Sequence, residues 1–316
     1  MSAKNPEQVL GMGCWQLGGI SFLNGRANGY GALDEEVALA TVQTALEGGI
    51  RFFDTAAGYG DGRSEELLGK GLGARRSEVV ICTKFAAEQN DEDGSSLGFL
   101  PTHTDRAIDA SLERLGTDHI DILLLHGPPD DMNWDMFDTS TLEQAQADGR
   151  IGAYGVSVRS FKGARNAVEA GFGSHIEVVM NALDRRAGEL QARMDAQGQQ
   201  LIARVPLASG LLTDRTLVDI PTFPPDDIRS TFPPEQMDWM VGAVRALDFL
   251  SAEPGGLATS ALRYILFHPA VDRVIPGMRS PDQVHRNLRA LDLGPLAADL
   301  VERIETANPE VFYRWR

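Results

Sequence analysis

The sequence predicts an α/β protein of the (β/α)₈ barrel class, folded as a single domain over residues 1–316. Short strand-like runs alternate with helical patterns along the chain, and such alternation favours a parallel sheet. The first six runs end near residues 54, 84, 126, 157, 180 and 205, a spacing of roughly 25 to 40 residues that suits βα units. With 316 residues, the chain is long enough for one such barrel with insertions.

The strand-like runs are recognised by their apolar and β-branched residues. In order they are RFFDT, EVVICTKF, IDILLLHG, IGAYGVSV, IEVVMN, QLIARVPL, DRVIPG and, more weakly, RALDL. The run IDILLLH is apolar on both faces, as a strand covered on both sides must be. We therefore expect RFFDT to be the first strand of the barrel and RALDL to be the eighth.

Two of the helices between these runs have recognisable ends. In PTHTDRAIDASLERLGTD, Thr102 or Thr104 is expected to cap the helix and Gly116 to end it. In RSPDQVHRNLRAL, Ser280 is the expected N-cap and Pro281 the first helical residue. The segment ASGLLTDRTLVDIPTFPPDDIRSTFPPEQ breaks the rhythm, because it is proline-rich and weakly periodic. A loop of this length is usually functional or disordered.

Charge and cysteine content restrict the partners of the protein. There are 29 Lys and Arg against 45 Asp and Glu, a net charge of −16, so the surface repels nucleic acids and anionic lipids. No run approaches the roughly 18 apolar residues of a membrane span, and MSAKNPEQVL shows no secretory signal. The two cysteines have no CxxC spacing. We expect a cytoplasmic protein with no nucleic-acid or membrane partner and an unknown oligomeric state.

Four polar residues lie at or just after the C-terminal ends of the first three predicted strands. They are Asp54, Tyr59, Lys84 and His126. In a βα barrel this rim carries the active site, because the loops there converge over the barrel mouth. Each residue alone has an ordinary structural explanation, although an unpaired Lys84 ammonium would be costly at the end of an apolar strand. Together, on adjacent strand ends, they predict an active site.

The four residues have a consistent role in the reduction of a carbonyl group. A tyrosine with a pKa near 10 is a poor proton donor at neutral pH, and a neighbouring ammonium favours the phenolate and lowers that pKa. Asp54 would hold Lys84 charged and oriented. His126 would donate a hydrogen bond to the carbonyl oxygen and help Tyr59 to polarise it while hydride reaches the carbon.

The motifs around these residues resemble the aldo-keto reductase family over nearly the whole chain. They are GMGCWQLGG, FFDTAAGYGDGRSEELLGKGL, VVICTKF, SLERLGTDHIDILLLHGPPD, GRIGAYGVS, VPLASGLLTD and VIPGMRSPDQVHRNL. The resemblance implies a TIM barrel that reduces an aldehyde or ketone to an alcohol, or the reverse, with NADPH bound across its C-terminal mouth. It also implies that Asp54, Tyr59, Lys84 and His126 are the catalytic tetrad of the family.

The resemblance assigns cofactor contacts by position and implies no metal. The expected positions are Gly13, Cys14, Trp15, Asp54, Ser157, Glu177 and Arg204, then Pro206, Leu207, Ser209, Gly210 and Leu212, and finally Gly277, Met278, Arg279, Gln283 and Asn287. An Arg279 fork on the 2′-phosphate favours NADP over NAD, and the following helix start suits an anion. The sequence departs from the family at Val158, Glu177 and Arg286, where Asn, Gln and an acid are frequent. The carboxamide and the adenine are therefore expected to be held differently here.

Two other functions fit parts of the sequence. A metal-dependent barrel hydrolase would need His and acidic ligands at several strand ends, and only Asp54 and His126 qualify, which disfavours it. A non-catalytic or slow NADPH-binding redox sensor on the same barrel would carry the same motifs and stays open. The substrate itself is not readable. We expect only a pocket of apolar character with Trp15, Phe22, Phe85, Trp134 and the terminal VFYRWR on its walls.

Overall fold

The protein is described here by a computed structural model, which covers residues 6–89 and 96–307. Its central sheet has eight parallel strands: β1 Met12–Gly13, β2 Phe52–Asp54, β3 Val80–Phe85, β4 Ile120–His126, β5 Ile151–Ser157, β6 His175–Val179, β7 Gln200–Arg204 and β8 Arg273–Ile275. Each strand pairs with the next, and Gly13 on β1 bridges Gly277, just after β8. The sheet therefore closes on itself, and the predicted (β/α)₈ barrel is confirmed.

Helices surround the sheet. The α-helices of the described residues are Pro6–Val9, Glu35–Glu47, Arg63–Leu72, Pro101–Leu115, Ser140–Ala147, Phe161–Ala170, Gln191–Gln197, Asp214–Val218, Pro234–Arg245, Gly256–Leu266, Pro281–Asp292 and Ala298–Thr306. Two short antiparallel hairpins pair Phe22–Leu23 with Arg26–Ala27 and Glu88–Gln89 with Ser96–Gly98. None of the helices in the described ranges is both long enough and apolar enough to cross a membrane.

The strand order differs from the sequence prediction at both ends of the barrel. The first strand is Met12–Gly13, which is too short to show a periodic pattern, so RFFDT supplies the second strand. The run RALDL, expected as the eighth strand, forms the end of helix Pro281–Asp292 instead. The helix continues through RALDL because a capped start precedes it and the next glycine, Gly294 with φ +68°, comes only after it.

The two helix ends predicted in detail give mixed results. Ser280 is the N-cap of helix Pro281–Asp292, where its Oγ accepts a hydrogen bond from the Gln283 amide at 3.4 Å, and Gly116 ends Pro101–Leu115 with φ +63°. The threonine cap was wrong, because that helix begins with Pro101 and Leu100 is its N-cap. Proline has no N–H to be capped at the first helical position, so the chain needs no threonine there.

The core has an inner and an outer layer. Outside the barrel, a large apolar cluster fills the space between strands and helices and includes Leu123 of β4. Inside it, a smaller cluster joins alternate residues of different strands, among them Phe52, Cys82, Ile122 and Leu124. Neighbouring residues of a strand therefore point to opposite layers. The prediction of a single domain over residues 1–316 extends beyond the described residues at both ends and stays a prediction there.

Candidate active site

Polar residues replace apolar ones inside the barrel at the C-terminal end of six strands. Two positions after Phe52, Cys82, Leu124 and Ile202 of the inner cluster, the same alternation brings polar side chains to the interior. These inward residues are Asp54 on β2, Lys84 on β3, His126 on β4, Ser157 on β5, Glu177 on β6 and Arg204 on β7. Three of the four predicted active-site residues are thus placed by strand parity alone.

Lys84 is the centre of this polar layer. Its fully buried Nζ lies 2.5 Å from Asp54 Oδ1, 2.9 Å from the carbonyl oxygen of Thr55 and 3.3 Å from Glu177 Oε2. Burial acts to lower the pKa of Lys84, but the carboxylates of Asp54 and Glu177 outweigh it and raise the pKa well above its usual value. The lysine is therefore charged at physiological pH.

Tyr59 reaches this layer from the loop after β2. Its hydroxyl lies 3.5 Å from Lys84 Nζ, and its ring stacks on Trp15 at 5.4 Å and meets His126 edge-on at 5.8 Å between centroids. The loop can approach because Gly60 has φ +64° and packs against Gly18, where any Cβ would collide with backbone atoms at 2.2 Å. Tyr59 and His126 therefore converge beside a single ammonium group.

The expected lowering of the pKa of Tyr59 is not the net result. Burial raises the pKa of Tyr59 well above its usual value; the Lys84 ammonium acts against it, and the carboxylates of Asp54 and Glu177 add to it. Lys84 lowers the pKa of Tyr59 as predicted, but the increase caused by burial is larger than this decrease. Tyr59 is accordingly a neutral phenol that carries its proton at physiological pH.

A cavity of about 910 Å³ opens at this end of the barrel, a size in the range of small-molecule and cofactor sites. Sixteen of the predicted site residues line it: Gly13, Trp15, Asp54, Tyr59, His126, Ser157, Glu177, Arg204, Pro206, Leu207, Ser209, Gly210, Gly277, Arg279, Gln283 and Asn287. Four do not. Lys84 lies beneath the surface of the cavity, and Cys14, Leu212 and Met278 belong to the outer core with fully buried side chains.

Comparison with known proteins agrees with this geometry. A sequence model described as the aldo/keto reductase family matches residues 9–309. The chain belongs to the aldo-keto reductase family. The aldo-keto reductase YhdN of Bacillus subtilis is 31% identical over 87% of the chain and 82% of its own length. The NADH-specific methylglyoxal reductase of Escherichia coli is 28% identical over 95% and 94% of the two chains. The holo form of aldo-keto reductase AKR11C1 from Bacillus halodurans superposes with a TM-score of 0.74, at 27% identity and 96% and 93% coverage.

Glu177 gives this aldo-keto reductase a second buried carboxylate beside Lys84. Ser157 Oγ donates a hydrogen bond to Glu177 Oε1 at 2.9 Å. Burial, followed by the charge of Glu177, raises the pKa of Asp54 well above its usual value. Burial also acts to raise the pKa of Glu177, but Lys84 and Arg204 lower it overall. Glu177 therefore carries negative charge more readily than Asp54, and it shares with Asp54 the role of counter-ion to Lys84.

His126 is held neutral. Burial, then the positive charge of Lys84, lowers the pKa of His126 to about 3. A neutral imidazole has one N–H to donate, so His126 can form a hydrogen bond to a carbonyl oxygen without protonating it. The prediction that His126 is a hydrogen-bond donor fits this state.

The depressed pKa of His126 has a measurable effect on stability. Its contribution is fully present above the unfolded pKa of 6.5 and is lost as the pH falls towards 3. Between pH 7 and pH 5 the wild type should lose up to about 2 kcal/mol more free energy of unfolding than His126→Asn. Urea denaturation of both proteins at the two pH values measures this difference. Equal losses would contradict a neutral His126.

The proline-rich segment after β7 forms one wall of the cavity. The Ile228 amide donates to the carbonyl oxygen of Gly29 at 2.7 Å, and Arg229 forks onto the buried Asp227 at 2.8 and 2.6 Å. At its start, Val205, Ala208 and Ser209 have φ between +47° and +57°, a conformation that is rare for side chains other than glycine. Backbone strain of this kind clusters at functional sites, as expected for a functional loop.

The guanidinium of Arg279, expected to bind a 2′-phosphate, forms hydrogen bonds with the backbone of the protein. Its Nη1 and Nη2 donate to the carbonyl oxygens of Tyr30 and Ala32 at 2.9 and 2.7 Å, and its amide donates to Gln283 Oε1 at 2.8 Å. The guanidinium thus joins the loop before helix Pro281–Asp292 to the N-terminal part of the cavity wall. A contact between Arg279 and a 2′-phosphate stays a prediction.

Two of the aromatic residues that were expected to line the pocket do not line it. Trp15 and Phe22 line the cavity, whereas Phe85 and Trp134 are buried in the outer core. Phe85 follows Lys84 directly and so points away from the interior, where it packs on Phe99 at 5.5 Å. The terminal VFYRWR, residues 311–316, lies outside the described residues. Leu23 and Ala86 supply further apolar surface that the sequence analysis had not identified.

Asp54, Cys82 and Glu177 lie close enough together to hold a metal ion, with ligand atoms within 4.8 Å of one another. The ammonium of Lys84 already lies 2.5 Å from one of these carboxylates and 3.3 Å from the other. It supplies the positive charge that two buried acids need. We therefore keep the prediction that this site holds no metal.

Proposed function

We propose that this protein is an NAD(P)-dependent reductase that converts an aldehyde or ketone to an alcohol, or runs in reverse, with Tyr59 as proton donor. The observation that carries the proposal is the convergence of a protonated Tyr59 and a neutral His126 beside the charged Lys84, at the inner end of one large cavity. Its partner would be a small carbonyl or alcohol compound.

Each residue has a defined role in this reaction. Tyr59 and His126 would hydrogen-bond the carbonyl oxygen, and Tyr59 would then release its proton to it. Lys84, 3.5 Å from the phenol oxygen, would stabilise the phenolate that is left. Asp54 and Glu177 hold Lys84 in place and keep it charged.

The cavity fits a nicotinamide dinucleotide. Besides Arg159, five arginines line it, although the chain carries a net charge of −16, and a pyrophosphate needs such donors. They are Arg204, Arg215, Arg229, Arg279 and Arg286. Ser157 and Glu177 offer polar atoms for a carboxamide at the inner end. When bound, the cofactor would supply the hydride.

A spectrophotometric assay tests the proposal. NADPH absorbance is followed with a panel of aromatic and aliphatic aldehydes and ketones, and we expect carbonyl-dependent oxidation with at least several of them. Flat absorbance with every carbonyl, together with tight NADPH binding, would instead support the redox-sensor function.

We also propose that NADP is preferred over NAD, which Arg279→Ala tests. NADPH affinity should fall by about ten- to a hundredfold while NADH affinity changes little, because only NADPH has a 2′-phosphate to lose contact with. Quenching of tryptophan fluorescence gives both dissociation constants. Equal losses would mean that Arg279 acts only through its bonds to Tyr30 and Ala32. Cofactor choice differs within the family, since the Escherichia coli relative is named NADH-specific.

A further inference from the structure

Arg159 is a cavity arginine that the sequence analysis did not identify. It follows Ser157 and Val158 at the end of β5 and lines the cavity that contains Tyr59 and His126. Its side chain is exposed to solvent and makes neither an ion pair nor a hydrogen bond with another described residue. An arginine with five N–H donors therefore faces the cavity with its hydrogen-bonding capacity unused.

Other arginines of this cavity are engaged or lie elsewhere. Arg204 donates to the carbonyl oxygen of Val158 at 2.9 Å, Arg229 forks onto Asp227, and Arg279 binds two backbone carbonyls. Arg215 lies in helix Asp214–Val218 and Arg286 in helix Pro281–Asp292. Arg159 differs from them in combining a place next to the proposed reaction centre with the lack of a hydrogen-bond partner among the described residues.

Gly127 leaves room for the Arg159 side chain beside the reaction centre. This glycine follows His126, has φ +66°, and its amide donates to the carbonyl oxygen of Ser157 at 2.7 Å, which joins the ends of β4 and β5. A Cβ on Gly127 would lie 2.7 Å from Arg159 Nε. The guanidinium therefore packs directly on the Gly127 backbone, in space that a side chain at 127 would need. Its charge also contributes to the low pKa of His126.

Apolar side chains also line the cavity. Trp15, Phe22, Leu23 and Ala86 line it, with Phe22 and Leu23 more than half exposed on their hairpin. A ligand in contact with them would have an apolar body, and its carbonyl oxygen would lie at Tyr59 and His126. Any anionic group on that body would find Arg159 as a free partner.

We propose that Arg159 binds a carboxylate on the substrate, so that the preferred substrates are aldehydes or ketones with an apolar body and a carboxylate. This rests on the proposed reductase function. A carboxylate matches the planar guanidinium through two parallel hydrogen bonds, whereas one guanidinium would leave a phosphate dianion only partly neutralised. On a chain of net charge −16, an unpaired cation beside the reaction centre gives an anionic substrate a favourable local partner.

The test compares 4-formylbenzoate with its neutral methyl ester in steady-state assays with NADPH. We expect the wild type to favour the carboxylate by about tenfold in kcat/KM, the lower end for charge-assisted hydrogen bonds because Arg159 is exposed. Arg159→Gln should remove this preference by raising KM for 4-formylbenzoate, with the ester and NADPH little affected. Arg159→Lys should retain part of it.

A matched control and a binding measurement separate the possible failures. Arg165→Gln, on the outer helix Phe161–Ala170 and outside the cavity lining, changes the net charge equally and should leave the preference intact.

Binding of 4-(hydroxymethyl)benzoate to the NADP-loaded protein, measured by tryptophan fluorescence, should depend on Arg159. If the wild type reduces both aldehydes equally, or Arg159→Gln slows both equally, the inference is wrong while the reductase function stands. If Arg159-dependent binding occurs without reduction of any carbonyl, the function is wrong and the carboxylate site stands.

Discussion

Tyr59→Phe is expected to lower kcat for carbonyl reduction by a factor of about 10² to 10⁴, the usual cost of losing a general acid. The phenol is the group that carries a proton next to the charged Lys84, and its hydroxyl is 3.5 Å from Nζ. Phenylalanine keeps the ring that stacks on Trp15. The affinity for NADPH should therefore stay at the wild-type value, as measured by fluorescence quenching.

Tyr30→Phe is the matched control for this experiment. Tyr30 also lines the cavity and meets Trp15 edge-on at 5.2 Å, but nothing places its hydroxyl at Lys84. Loss of this second hydroxyl should change kcat by less than about tenfold, because it removes no general acid. A Tyr59→Phe enzyme with more than half of the wild-type turnover, or equal losses in the two variants, would contradict Tyr59 as the proton donor.

The sequence was sufficient for the barrel and for the convergence of the four candidate residues, because both depend on local patterns. Strand parity alone brings Asp54, Lys84 and His126 to one face, and their positions at strand ends bring them to one rim. The same alternation of side chains along a strand also indicates that Phe85 does not line the cavity. Phe85 is adjacent to Lys84 and so had to point away from the cavity.

Other features depend on packing between segments far apart in the chain. Nothing local indicates that Glu177 lies 3.3 Å from Lys84, or that Arg159 packs over Gly127. The two-residue strand Met12–Gly13 is defined by its partners on both sides and has no periodicity of its own. The net shift in the pKa of Tyr59 required its burial, which outweighs the single charge that the sequence could identify.

Lys84→Met is expected to slow the reaction by about 10² or more at neutral pH, most clearly in the direction of alcohol oxidation. In that direction Tyr59 must act as a base, so the rate rises with pH through the pKa of Tyr59. Lys84 is the charge that opposes the raised pKa. Its removal should move the rising limb of the pH profile to higher pH, which appears as a lower kcat/KM for an alcohol at each pH from 6 to 10, because this range lies below the raised pKa of Tyr59.

The same substitution leaves Asp54 and Glu177 buried without a cation. Removing one partner of a buried ion pair typically costs about 3 to 5 kcal/mol of stability. In the variant, the folded-state pKa values of these carboxyls should rise above their unfolded values, so stability should fall as the pH rises and recover as the pH falls from 7 to 5. Chemical denaturation at both pH values measures this trend and shows where the variant is folded well enough for the kinetic test.

Glu177→Gln should shift the same pH profile in the opposite direction. The Glu177 carboxylate favours the neutral phenol of Tyr59, so its removal should lower the pKa of Tyr59 and move the rising limb to lower pH. Asp54 remains 2.5 Å from Lys84 as its counter-ion, and glutamine can still accept the hydrogen bond from Ser157. Opposite displacements in the two variants would support Tyr59 as the titrating group, because its pKa responds to the two charges with opposite sign, and the pKa of His126, which does so too, lies far lower at about 3. Unchanged limbs in both would mean that Lys84 and Glu177 stabilise the barrel end without tuning the proton donor.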